Sequence, residues 1–141
     1  MLNSACVRSV ILYGSETWAV KEEDIRRLKR TEKAMIRWMC GVSLNDRRGA
    51  VTITGEELRE RLNLECIEVV MRRGRLRWFG HVARMEEDNW VQRVRSINVE
   101  GAVARGRPKK TWDEVIQNDL RVMGLNRETA RDRAGWRAAI R

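Results

Sequence analysis

The chain has 141 residues, 43% of them hydrophobic, enough for one domain that buries its own core without disulfide or metal staples. It holds 29 Lys and Arg against 20 Asp and Glu, a net charge of +9 and a pI near 10.5, which predicts salt-sensitive attraction to a polyanion, nucleic acid or anionic lipid. Arginine dominates this excess, and its planar fork grips phosphate bidentately and stacks on bases, so nucleic acid is favoured over a merely solubilising coat.

Pro occurs once and apolar residues recur at helical spacing, so the expected fold class is all-α: several short to medium helices with a flexible basic linker before the C-terminal helices. The apolar run Val10 to Tyr13 is too short for a signal peptide or a membrane span, and no membrane partner is expected. From Glu22 to Cys40, Ile25, Leu28, Met35, Ile36 and Met39 share one face, with Gly41 as the residue that ends the helix. Residues 44 to 53 carry Asn45-Asp46 and Gly49 and read as a loop. Thr54 and Glu57 have capping-box spacing and open a short helix to about Leu62.

A longer helix is predicted from about Glu65 to Met85, with Ile67, Val70, Met71, Gly74, Trp78, Val82 and Met85 as its buried stripe and its arginines flanking or opposite. Gly74 and Gly80 weaken it, and close packing or close approach of a ligand backbone is the candidate compensation. Asn89 to Ile97 is a further short helix, and 98 to 108 is a breaker-rich linker. Thr111 caps a helix from Trp112 to Met123, Gly124-Leu125-Asn126 breaks it with Asn126 as the next N-cap, and a last helix ends near Ile140. The resulting segments are 1–43, 44–97, the basic linker 98–111, and the helical pair 112–141.

Cys6, Cys40 and Cys66 are odd in number and widely spaced, which argues against a disulfide framework and for a reducing, intracellular compartment. His81 is the single histidine, so a zinc site would need long-range assembly of three Cys and one His; buried structural thiols are the preferred reading, with no cofactor or metal expected. His81 itself either satisfies a backbone carbonyl, the favoured role, or donates to a phosphate. Trp18, Trp38, Trp78, Trp90, Trp112 and Trp136 fall about one per helix, as core anchors would; Trp78 and Trp112 also suit base stacking.

The charge is concentrated. Residues 71 to 110 hold eleven cations and four acids, a net +7 of the total +9. Within them, Arg105-Gly106-Arg107-Pro108-Lys109-Lys110-Thr111-Trp112 joins a cationic strand to a helix start, where free N–H groups also favour anions. The candidate nucleic-acid-binding residues are therefore Arg72, Arg73, Arg75, Arg77, Trp78, Arg84, Arg105, Arg107, Lys109 and Lys110. Arg105 to Pro108 also match the core of an AT-hook, a minor-groove reader of A·T-rich duplex. Two other readings remain: a helical protein-interaction module whose arginines serve solubility, and, ranked last, a basic helix on anionic lipid.

Four strings in order, Ile11-Leu12-Tyr13-Gly14-Ser15-Glu16-Thr17-Trp18, Arg37-Trp38-Met39-Cys40-Gly41-Val42, Gly74 to Met85 (Gly-Arg-Leu-Arg-Trp-Phe-Gly-His-Val-Ala-Arg-Met) and Gly106 to Trp112, resemble the C-terminal region of reverse transcriptases from non-long-terminal-repeat (LINE-type, RTE-like) retrotransposons. Asp119-Leu120, Gly124-Leu125 and Asp132 to Arg137 follow the same pattern, so the resemblance covers nearly the whole chain; it departs at Arg47 to Ile53. It implies a thumb-like segment over 1–43 and a post-thumb extension, placed after a polymerase palm that copies element RNA into DNA at a nicked site. Such polymerases hold two metal ions on paired aspartates, and no Tyr-x-Asp-Asp string follows an apolar strand here. The expectation is a gripping fragment without catalytic residues, with RNA or DNA and the upstream palm as partners. Its expected location is the nucleus, with a cytoplasmic ribonucleoprotein as the other setting.

Overall fold

The structure, a computed structural model, describes residues 7–42, 54–97, 106 and 109–141. Among them it is all-α: α1 (Arg8–Ile11), α2 (Glu22–Met39), α3 (Gly55–Arg61), α4 (Ile67–Ala83), α5 (Trp90–Ser96), α6 (Trp112–Met123) and α7 (Arg133–Ala139), with short 3₁₀ turns at Ser15–Thr17 and Glu128–Arg131 and no strand. The loop expected over 44–53 lies outside the described residues, as do Cys6 and, apart from Gly106, the linker 98–108. The chain divides into two units, Met1–Ser15 with Val20–Met71, and Glu16–Ala19 with Arg72–Arg141.

Helix ends follow local chemistry closely. Thr54 Oγ1 accepts from the Glu57 amide at 3.2 Å while the Glu57 carboxylate accepts from the Thr54 amide at 2.7 Å, and Thr111 with Glu114 repeats this reciprocal pair at 3.3 and 3.0 Å. Asn89 Oδ1 accepts from the Val91 amide at 3.0 Å and starts α5. Gly41 and Gly124 both end their helices at φ +66°, a left-handed conformation that an L side chain resists. One expected cap is corrected: Asn126 does not start the last helix. Its carbonyl accepts from Thr129 Oγ1 within the 3₁₀ turn, and Asp132 caps α7 by accepting from the Ala134 and Gly135 amides at 3.0 and 3.1 Å. A short turn thus intervenes between the Gly124 break and α7, and Asp132, with a carboxylate free to fold back, stands where that turn ends.

In the first unit, α3 packs on α2 and the interior holds Val20, Ile36, Leu58, Ile67 and Met71. Glu32 is buried on α2 because Arg8 meets it, Nε to Oε1 at 2.9 Å, while Arg8 also donates to the Glu65 carbonyl. The hydrogen bond that the Lys29 ammonium donates to the Glu68 carboxylate raises its pKa above the ordinary 10.5.

In the second unit, Leu76 and Phe79 of α4 meet Ile116 and Leu120 of α6, Ala130 of the 3₁₀ turn, and Trp136 and Ile140 at the end of the chain. Phe79 is central, its ring centroid 6.0 Å from Trp136 and 6.4 Å from Trp112 in tilted arrangements. The buried stripe of α4 therefore differs from the one its spacing predicts. Ile67, Met71 and Val82 are buried as expected, but Leu76, Phe79 and the side chain of Arg75 lie inside while Gly74, Trp78 and Met85 line a cleft. Arg75, Leu76, Phe79 and Val82 themselves recur at helical spacing, on a face turned from the predicted one, and in the second unit this is the face that α6, the 3₁₀ turn and α7 cover. The tryptophans are corrected likewise: Trp136 is 1% exposed and Trp78 and Trp112 are half-buried, but Trp18, Trp38 and Trp90 are exposed, Trp38 at 84%. Cys40 and Cys66 are free and half-buried rather than buried.

Candidate nucleic-acid interface

Two arginine ladders build the site. On α4, Arg73, Arg77 and His81 recur every four residues and so share a face, with Arg84 just past the helix end; Arg133 and Arg137 recur likewise on α7, with Arg141 just beyond it. Both ladders line one cleft of about 1080 Å³ inside the second unit. Gly74, Trp78 and Met85 complete its α4 side, and Trp136 and Ile140 its α7 side. Glu16 is the single acid lining it among the described residues, so six arginines stand against one carboxylate. Cations gathered in a recess with low-dielectric walls focus the field more than the same charges on a convex surface.

The walls are held by specific bonds. Trp136 Nε1 donates to the Leu76 carbonyl at 3.1 Å and ties α7 to α4, and Arg84, just past the end of α4, donates from Nη1 to the Ala130 carbonyl of the 3₁₀ turn before α7 at 2.5 Å. Trp112 Nε1 donates to the Glu16 carbonyl at 2.8 Å and so places Glu16 at the cleft. The His81 ring lies 5.4 Å from that of Trp78, tilted by 47°. His81 is exposed on this face, with no backbone carbonyl as partner among the described residues. Arg77, Arg133, Arg137 and Arg141 are exposed and form no ion pair with the described residues, which leaves their guanidinium forks available to an incoming anion.

The two helix glycines have opposite surroundings. A Cβ on Gly80 would sit 2.6 Å from Cδ1 of Trp136, so Gly80 is there for close packing. A Cβ on Gly74 would meet nothing within 4 Å, although a glycine costs a helix interior about 1 kcal/mol relative to alanine.

Of the residues that the sequence singles out, Arg73, Arg77, Trp78 and Arg84 come together at the cleft. Arg75 does not: it is 2% exposed and its Nε and Nη2 donate to the two oxygens of Asp119 at 2.7 and 3.1 Å, a buried bidentate pair that holds α4 to α6. Arg72 reaches the same carboxylate at 3.4 Å. Lys109 and Lys110 are exposed just before α6 and do not line the cleft; Arg105 and Arg107, with the AT-hook string, lie outside the described residues. The sequence reading omits Arg133, Arg137, Arg141 and Glu16. The first three are detectable from their four-residue spacing, but nothing local tells that this ladder faces the one on α4. Among the described residues no three His, Cys, Asp or Glu side chains gather to hold a metal ion, and no helix is long and apolar enough to cross a membrane.

No family model and no solved structure matches the chain. The chain is similar, at 25% identity over 150 aligned residues, to an uncharacterized transposon-derived protein of Caenorhabditis elegans. The alignment covers 99% of this chain and 53% of that protein, so the chain spans about half the length of the relative it matches. This similarity, running from one end of the chain to the other, supports a transposon origin.

Proposed function

We propose that the chain is a nucleic-acid-holding part of a transposon-encoded protein, gripping the template–primer or element RNA of a reverse transcriptase whose catalytic palm lies elsewhere. The carrying observation is the convergence of arginines from α4 and α7 on one cleft, opposed by a single glutamate among the described residues. Guanidinium groups on two walls hold phosphates from both sides and fix a strand's path without reading its bases. The transposon-derived relative and the four strings that resemble LINE-type reverse transcriptases support the same assignment. The chain performs no chemistry alone in this reading, and it acts where element RNA meets chromosomal DNA, in the nucleus or on the way there as a ribonucleoprotein.

The test is direct: fluorescence anisotropy of the whole chain with labelled RNA and DNA across a salt series. The expected result is an affinity that falls steeply with log salt, as counterion release requires. Absence of binding at low salt rejects the proposal. One observation favours the interaction-module alternative, the exposed Trp90, Val94 and Ile97 on and just after α5. Capture of a separately expressed polymerase palm, abolished by Val94→Asp, would establish it.

A further inference from the structure

We infer that the cleft takes a single strand rather than a duplex, with an unpaired base stacked on Trp78 and the strand lying across the bare backbone at Gly74. The inference rests on the nucleic-acid reading above and specifies what form of nucleic acid that site accepts. Shape is the first argument. Sequence readers of duplex present a helix or ribbon to a groove, whereas unpaired bases splay out and stack on aromatic side chains, as a recess lined by Trp78 allows.

Composition of the walls is the second. Trp78 is half-buried in the α4 wall, one residue beyond Arg77, with the His81 ring 5.4 Å away against it, so its indole is held beside the phosphate-binding cations. Aromatic faces set among cations are the means by which single strands are held without sequence preference, since every base has a π-face. Gly74 is the third, and it is independent of charge. Gly80 is explained by Trp136 packed against it, but Gly74 has helical backbone, open space where its Cβ would be, and a place in the cleft lining one turn before Trp78. Nothing among the described residues asks for glycine there. A ligand that approaches the helix backbone does, because any side chain at this position would stand between the strand and the helix.

The experiment uses the full chain with a labelled RNA strand, a DNA strand of the same sequence, and the duplex of that DNA with its complement. Gly74→Ala is the decisive variant, since among the described residues its methyl meets no other part of the protein within 4 Å: it should raise the thermal midpoint yet weaken single-strand binding several-fold. Trp78→Leu should weaken single-strand binding by about ten-fold or more, with little change for duplex. Comparing the RNA and DNA strands tells which sugar the cleft prefers. Equal affinity for duplex and single strands, unchanged by Gly74→Ala, would overturn the inference while leaving the nucleic-acid reading intact. Failure of the unmodified chain to bind any of the three would remove both.

Discussion

The indole of Trp136 occupies the space that a side chain at residue 80 would need: Cδ1 of Trp136 lies 2.6 Å from the Cβ position of Gly80, and its Nε1 donates to the Leu76 carbonyl one turn earlier on the same helix. This packing brings α7 close enough to α4 for their arginine ladders to share a cleft. Gly80→Ala should therefore destabilise the protein, by about 1–3 kcal/mol as an overpacked core position. Urea or thermal unfolding followed by circular dichroism measures it; an unchanged midpoint would mean that the two helices do not pack in this way.

Asp119 holds two arginines at the α4–α6 junction. Asp119→Ala leaves the Arg75 guanidinium buried without a counter-charge, for which a loss of about 3–5 kcal/mol is expected. Arg75→Met with Asp119→Leu replaces the pair by apolar groups of similar size and should recover most of that loss. The four corners of this double-mutant cycle, each by chemical denaturation, separate a structural Arg75 from one that works on a ligand.

Arg77, Arg133 and Arg137 should act through phosphate. Replacing all three by Glu should weaken single-strand binding and flatten the plot of log affinity against log salt, by about 0.7 for each phosphate that is no longer neutralised. Arg121→Glu on α6, whose Nη2 donates to Asn118, is the control for a charge reversal outside the cleft and, set against each cleft substitution singly, should leave the slope nearly as it was.

Thr111 carries the cap of α6 just after Lys109 and Lys110. Thr111→Ala removes the acceptor for the Glu114 amide and should cost about 1 kcal/mol of stability, whereas Thr111→Ser should cost little. Paired thermal melts of the two variants check this. Nucleic-acid affinity should fall only if the cap also positions the adjacent lysines.

Much of the fold was legible locally. The α-helical class, the reciprocal caps at Thr54 and Thr111, and the left-handed stops at Gly41 and Gly124 depend on residues within a few positions of each other, and such short-range chemistry acts the same way in any context. Where one partner is distant, reading by period failed. Arg75 belongs to the polar face by spacing alone and is buried because Asp119, forty-four residues later, meets it. Trp38 and Trp90 look like anchors and are exposed, because apolar size does not say whether a neighbour arrives to cover it.

The site divides in the same way. Arginine content and the clustering of cations from 71 to 110 were enough to point to a polyanion, since net charge and its density need no fold to be known. Which arginines line one cleft depends on packing: the bond from Trp136 to Leu76 and the space left by Gly80 bring α7 onto α4, so that Arg133 and Arg137 stand with Arg77 while Arg75 is withdrawn. Composition sets how much charge there is. Only long-range packing sets which charges converge, because that depends on the direction in which each helix face points once its apolar side is covered.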